Sequence, residues 1–276
     1  GWNMCGNVAY ILFTQGLNIL LNMFFGPVVN AARGVAVQVQ GAIMQFAGGF
    51  QTAINPQITK TYSQNDLRNM HTLIFRSSKF TFLLLLCLSL PVMLEADVIL
   101  NVWLKTVPEY SSIFLRLMLC VAIIDAVANP LMISAAATGN VKVYQSVVGG
   151  ILLAIVPISY VVLKLGGNPY SVFIVHLCVC IVAFIARLFI VRPMIKIKVS
   201  DYARNVIARC AVTALPAIAI SLMFKAFLPN SVPFAALVCC QSAATVAAFA
   251  YFIGLTRHER EVIGSRVAGI ISRFKK

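Results

Sequence analysis

The sequence predicts an all-α, polytopic transmembrane helix bundle of about eight spans with both termini in the cytoplasm. Three observations predict it: how apolar the chain is, how its apolar stretches are punctuated, and how its bases are distributed. Of 276 residues, 60% are hydrophobic in type and only 11% are Asp, Glu, Lys or Arg, against about 25% charged in an average soluble domain. The mean hydropathy is +0.90. A soluble globule cannot hide that much apolar surface, whereas eight spans of about 20 residues take up roughly 160 positions. The same composition excludes a disordered chain, a disulfide-stapled secreted domain and a soluble enzyme.

Apolar stretches run over residues 4–25, 34–54, 80–100, 112–137, 145–163, 171–191, 210–227 and 234–254. Each is long enough to cross about 30 Å as a helix. Loop punctuation separates them: Gly26-Pro27, Asn55-Pro56, Pro108, Gly139-Asn140, Gly166-Gly167-Asn168-Pro169, and Pro229-Asn230 with Pro233. Residues 60–79 and 192–209 mix bases with apolar positions such as Leu67, Ile74, Phe75, Ile197 and Val206. They read either as segments lying along the membrane surface, drawn to anionic lipid, or as solvated connectors.

Alternate loops differ in base content. One set holds sixteen bases: Lys60, Arg68, Arg76, Lys79, Lys142, Arg192, Lys196, Lys198, Arg204, Arg209, Arg257, Arg260, Arg266, Arg273, Lys275 and Lys276. The other holds five, Arg33, Lys105, Arg116, Lys164 and Lys225, and Arg187 stays within a span. The richer set belongs in the cytoplasm. The net charge of +14 is then topological, and nucleic acid is not an expected partner.

Polar residues inside the spans fall on particular faces. In the first span Asn3, Asn7, Thr14, Gln15, Asn18 and Asn22 share an arc of about 120° at 100° per residue. Lipid cannot hydrogen-bond them, so they are either helix–helix contacts or the wall of a cavity for a polar substrate. Asn7, Asn18 and Asn22 are the cavity candidates. In the second span Gly34, Gly41 and Gly48 run beside Gln38, Gln45 and Thr52, with Arg33, Gln40 and Gln51 on the opposite side. A helix polar on two faces belongs inside a bundle, so Gln38 and Gln45 join the candidates. The amide stripe of the first span and the glycine–glutamine face of the second are expected to turn inward.

Asp125 lies near the middle of the fourth span, with Asn129 one turn later and Pro130 beside it. A midplane Asp costs about 2.5–3.5 kcal/mol to insert. Pro130 deprives the Ala126 carbonyl of its helical donor, which Asn129 or water would replace. The group is either a local network at a kink, a substrate contact, or a switch responding to protons or ions. Glu95 and Asp97 read as outer-boundary residues, His71 and His258 as loop residues, and His176 as a lone intramembrane histidine. The eight cysteines lie in apolar stretches without paired spacing and read as packing residues. No nucleophile–base pair, phosphate loop or metal-ligand spacing is present. No enzyme, cofactor or metal site is expected.

Five strings carry a resemblance: GPVVNAARGVAVQVQ from Gly26, FQTAINPQITKTY from Phe50, NVWLKTVPEY from Asn101, ATGNVKVYQ from Ala137 and LLAIVPISY from Leu152. They resemble the polysaccharide flippases, often called O-antigen or lipopolysaccharide biosynthesis proteins, of the multidrug/oligosaccharidyl-lipid/polysaccharide exporter superfamily. The likeness is specific from Gly26 to Tyr62, looser through Tyr160, and rests on hydropathy beyond residue 192. It implies two pseudo-symmetric lobes around a central cavity. Residues 1–192 would be the six-helix C-terminal lobe, and 193–276 two further helices with a basic cytoplasmic tail.

It further implies that the chain, which begins with Gly, is a fragment lacking an N-terminal lobe. The function implied is flipping of a polyprenyl-diphosphate-linked oligosaccharide across the bacterial inner membrane by alternating access. Arg33, in the NAARG string, would meet the diphosphate unless it is an outer-boundary anchor. Asp125 would couple transport to protons or sodium, and Asn55, Pro56, Gln57 and Pro130 would cap or gate. A cation-coupled multidrug exporter and a non-transporting component of a glycan-assembly complex are the alternatives.

Overall fold

Gly26 and Pro27 show how the chain turns between its helices. Helix α1 (Trp2–Phe25) stops at Gly26, whose φ of +81° favours a residue without a side chain. Pro27 then opens α2 (Pro27–Ser63) where its missing N–H costs nothing. The computed structural model describes residues 2–229, 231–256 and 259–260, apart from the side chains of residues 2, 3 and 5. Asn3 of the amide stripe, Arg257, His258 and the bases from Arg266 to Lys276 lie outside the described residues.

The expected break at Asn55-Pro56 is absent. α2 continues through Pro56 to Ser63, 37 residues in all, or about 55 Å at 1.5 Å per residue. Pro56 is exposed, so its ring points away from the core, and the helix loses a single backbone bond there. After Ser63 the chain reverses through Gln64 and Asn65. The carboxylate of Asp66 caps α3 (Leu67–Leu94), accepting from the Asn69 amide at 3.1 Å. α3 thus starts at Leu67 instead of residue 80. Residues 60–79 are therefore neither a surface segment nor a connector but the joined ends of two long helices. His71 lies on α3 and bonds the Ile195 carbonyl at 2.8 Å.

The predicted third span is also shortened at its far end. α3 stops at Leu94, and α4 (Ala96–Trp103) is a separate short helix. Glu95 and Asp97 at that junction pair with Lys225 at 3.4 Å and Arg116 at 2.7 Å. α5 (Ser111–Ala137) follows, and then α6 (Lys142–Leu153) and α7 (Ile155–Lys164), which form one crossing interrupted at Ala154. Pro157 cannot donate to the Leu153 carbonyl, which accounts for the interruption. α8 (Ser171–Ile195) ends at Lys196 in the left-handed region. α9 (Val199–Tyr202), a π-turn over Ala203–Ile207 and α10 (Ala208–Ala226) make the next crossing. Residues 192–209 thus join two helix ends as well. α11 (Val232–Phe249) ends in a second π-turn, Ala250–Gly254.

No strand occurs among the described residues. Among the described residues, seven segments are long and apolar enough to cross a membrane: Gly6–Phe25, Leu67–Leu94, Ser111–Ala137, Lys142–Lys164, Ser171–Ile195, Val199–Ala226 and Val232–Gly254. The expected second span is missing from that set because the glycines and amides of α2 lower its hydropathy. α2 nevertheless packs against α1, α3 and α5. The centre of the bundle is α5, which packs against α2, α3 and α8 and buries Phe114, Leu115, Leu119 and Leu131. A smaller core, including Leu86, Leu90, Ala217, Val238 and Val246, joins α10 and α11 to α3.

Candidate functional site

Pro130 is buried inside α5 and leaves the Ala126 carbonyl without its i+4 donor. Asn129 does not fill the vacancy. Gln51 of α2 reaches across and donates its amide to that carbonyl at 3.2 Å. One residue on, the Val127 carbonyl accepts from the Ser78 hydroxyl of α3 at 3.0 Å. The Tyr202 hydroxyl bonds Ser78 at 3.1 Å and also reaches Val127. The weakened turn of α5 is thereby tied to α2, α3 and α9. A buried acceptor left bare would cost about 1–3 kcal/mol, so these side chains stabilise the turn that Pro130 weakens.

Beside this turn lies a cavity of about 270 Å³ between α1, α2, α5, α6 and α8. Asp125 opens into it, and its Oδ1 stands 3.4 Å from an Arg187 Nη1 of α8. The Asp125 side chain is 36% exposed and that of Arg187 only 12%. The arginine is thus packed from behind while the acid faces the open space. Pairing offsets part of the cost of placing either charge within the bundle. Asn129 and His176 also line the cavity. Asn129 Oδ1, His176 Nδ1 and Arg187 Nε are buried without a partner among the described residues. An orphaned acceptor on Asn129, a donor on Arg187 and a ring nitrogen of His176 around one cavity make it a site for water or a polar ligand. No group of His, Cys, Asp and Glu able to hold a metal occurs among the described residues.

No family model, curated protein or solved structure matches this chain. The site therefore rests on its own geometry.

The polar faces of α1 and α2 do not turn into the bundle. Asn7, Gln15 and Asn22 are exposed, and Thr14 and Asn18 are half-buried at the edge facing α2. On α2 the residues that pack inward are Val29, Ala32, Arg33, Ala36, Ile43, Ala47, Gln51 and Ile58. At 100° per residue this arc lies roughly opposite the row of Gly34, Gln38, Gly41, Gln45 and Thr52, all of them exposed. Small alanines let α2 approach its neighbours closely, so the alanine side wins the core and the glycine–glutamine side is left outward. The inward-facing polar residues are those of the second cluster, Arg33 and Gln51.

Arg33 is buried at the α1–α2 seam. It donates to the Asn18 side chain and, at 3.3 Å, to the Thr14 carbonyl, while Asn18 donates to Gln15 at 3.1 Å. It ties two helices together and does not line the Asp125 cavity. Asn55 sits within α2, half-buried, so it caps no helix, and Pro56 and Gln57 are exposed. The residues that the sequence did not bring to the site are Gln51, His176 and Arg187, each on a different helix from Asp125. The only sequence sign of Arg187 was its position as the one base within a span.

Proposed function

We propose that this chain is one lobe of a membrane transporter that flips a polyprenyl-diphosphate-linked oligosaccharide from the cytoplasmic to the outer leaflet of a bacterial inner membrane. The observation that carries the transport reading is the outward polar face of α1 and α2. Bilayer hydrocarbon offers Asn7, Asn22, Gln38 and Gln45 no hydrogen bonds, so the face borders water or a second lobe. The wall of a polar translocation path between two lobes meets that requirement, with rocking of the lobes giving alternating access. The substrate class rests on the family resemblance of residues 26–62 and on the short connections between helices, which leave little room for an extramembrane catalytic domain.

In this reading α2 is the eighth crossing and both termini lie on the basic, cytoplasmic side. Asp125 is the coupling residue. Its open carboxylate exchanges a proton while Arg187 keeps the charged form in place. A drug exporter of the same superfamily would be expected to use an acid-rich pocket, and Asp125 is the one acid lining this cavity among the described residues. The test is a leaflet-specific assay in proteoliposomes with a labelled lipid-linked oligosaccharide, using the complete protein. Gln38→Leu with Gln45→Leu lowers flipping at least tenfold while the protein stays folded. Unchanged flipping in that variant removes α2 from the path, and no flipping by the wild type removes the assignment.

A further inference from the structure

The basic end of the bundle holds a second cavity, separate from Asp125. It measures about 240 Å³ and lies between the start of α3, the π-turn ahead of α10 and the segment that follows α11. Arg76 and Lys79 of α3 and Arg209 of α10 line it, with Asn205 from the π-turn and a single acid, Glu259. Lys79 and Glu259 are both buried and paired at 2.6 Å, and Arg76 adds a longer contact to the same carboxylate at 3.6 Å. Glu259 also accepts the Thr256 amide at 2.8 Å, while the Thr256 hydroxyl accepts the Glu259 amide at 3.3 Å. This reciprocal cap holds the acid in position. The Arg209 guanidinium has no hydrogen-bonding or ionic partner among the described residues, although its carbonyl accepts from the Thr213 hydroxyl at 2.8 Å.

Three positive charges thus face one negative charge in a partly enclosed space. Two features set this apart from a solvated basic surface. The bases sit between helices, and they sit at a particular depth: the apolar run of α3 begins at Phe80, directly after Lys79. If that run crosses the bilayer, its start would lie where headgroups meet hydrocarbon. The π-turn also opens the helix backbone beside Asn205 and Arg209, a local widening that commonly accompanies a binding site.

We propose that this cavity binds a phosphate group at the membrane surface, from an anionic phospholipid headgroup or from free phosphate. Arg76 and Arg209 are its principal ligands. Guanidinium forks match phosphate oxygens, and a ligand of charge −1 to −2 neutralises the excess left by Glu259. Basic pockets between helices on the cytoplasmic side take anionic headgroups in this way.

The experiment uses the full chain in phosphatidylcholine nanodiscs doped with phosphatidylglycerol, with retained lipid read by native mass spectrometry. A second arm adds millimolar inorganic phosphate to pure phosphatidylcholine nanodiscs and reads thermal stability. Arg209→Gln is the test variant. Arg204→Gln, exposed on the same π-turn and outside the cavity, is the control for charge alone. Phosphatidylglycerol retention should fall about tenfold in R209Q and stay at the wild-type level in R204Q. A response to inorganic phosphate, lost in R209Q, would support the site with free phosphate as the source. Wild-type protein showing neither lipid preference nor phosphate response overturns the proposal. So does equal loss in both variants, or no loss in R209Q.

Discussion

Gln51 lies 75 residues from Ala126 in sequence, yet it supplies the donor that Pro130 removes from that carbonyl. Gln51→Leu should therefore destabilise the bundle by about 1 kcal/mol, the usual size of an interhelical bond within a membrane. Gln45→Leu, six residues away on the outward face, should leave the unfolding midpoint unchanged; thermal unfolding in detergent measures both. Asp125 and Arg187 make a second residue-scale case. Arg187→Gln strands a carboxylate in the bundle and should lower the melting temperature more than the double variant D125N/R187Q does. Equal melting temperatures would show that the Asp125 carboxylate is not stranded by the loss of Arg187. If D125N left transport and its pH dependence unchanged, the coupling role would be lost. Asp125, Asn129 and Pro130 were legible in the sequence because helical periodicity is local. Gln51 and Arg187 were not, because a residue's partner on another helix depends on packing that one strand of sequence does not encode by spacing.

At the scale of elements, the segment after α11 is held to α3 by Glu259. Burial alone would raise its carboxyl pKa, but the Lys79 ammonium and the Thr256 amide outweigh it and hold the pKa below the ordinary value of 4.5. The charged form is the one the fold favours. Its contribution is complete above about pH 4.5 and is lost as pH falls through the lower folded-state value. Amide protection factors at Thr256 and Glu259, which are corrected for the intrinsic pH dependence of exchange, should fall once acid neutralises Glu259 and, at neutral pH, in Lys79→Gln. Protection unchanged in both would show that Lys79 does not hold the segment. Helix existence was read correctly for most of the chain, while helix ends were not. The bases of residues 60–79 made a helical stretch look like a loop. The informative sign was Asp66, a capping residue directly ahead of Leu67, and it carries more weight than the charge around it.

For the whole molecule, the seven apolar helices make this an integral membrane protein, and α2 decides how it is threaded. If α2 crosses, its two ends face opposite compartments. In a background with the native cysteines replaced, Val28→Cys should react with a membrane-impermeant maleimide added to intact cells. Lys60→Cys should react only after permeabilisation. Reaction of both from outside would leave α2 on one side and reduce the crossings to seven. The sequence identified the two polar faces of α2 but assigned the inward direction to the glycine–glutamine face, which is the one that turns outward. Amphipathic patterning counts polarity, whereas the packing was settled by the small alanines at Ala32, Ala36 and Ala47, which are buried completely.

α2 is also much longer than the bilayer is thick, 37 residues against about 20 for a crossing. Its overhang runs beside that of α3 and is closed by the turn at Asp66. Taken as a straight rod of about 55 Å, a tilt of about 10° pivoting near Gly26 would carry Ser63 by about 10 Å. In the proposed alternating-access cycle such a helix would act as a lever arm, turning small angular changes among buried side chains into displacements at its tip. A pair of fluorophores, one at the Ser63 end and one on a fixed helix, would record each stroke as a change in energy transfer.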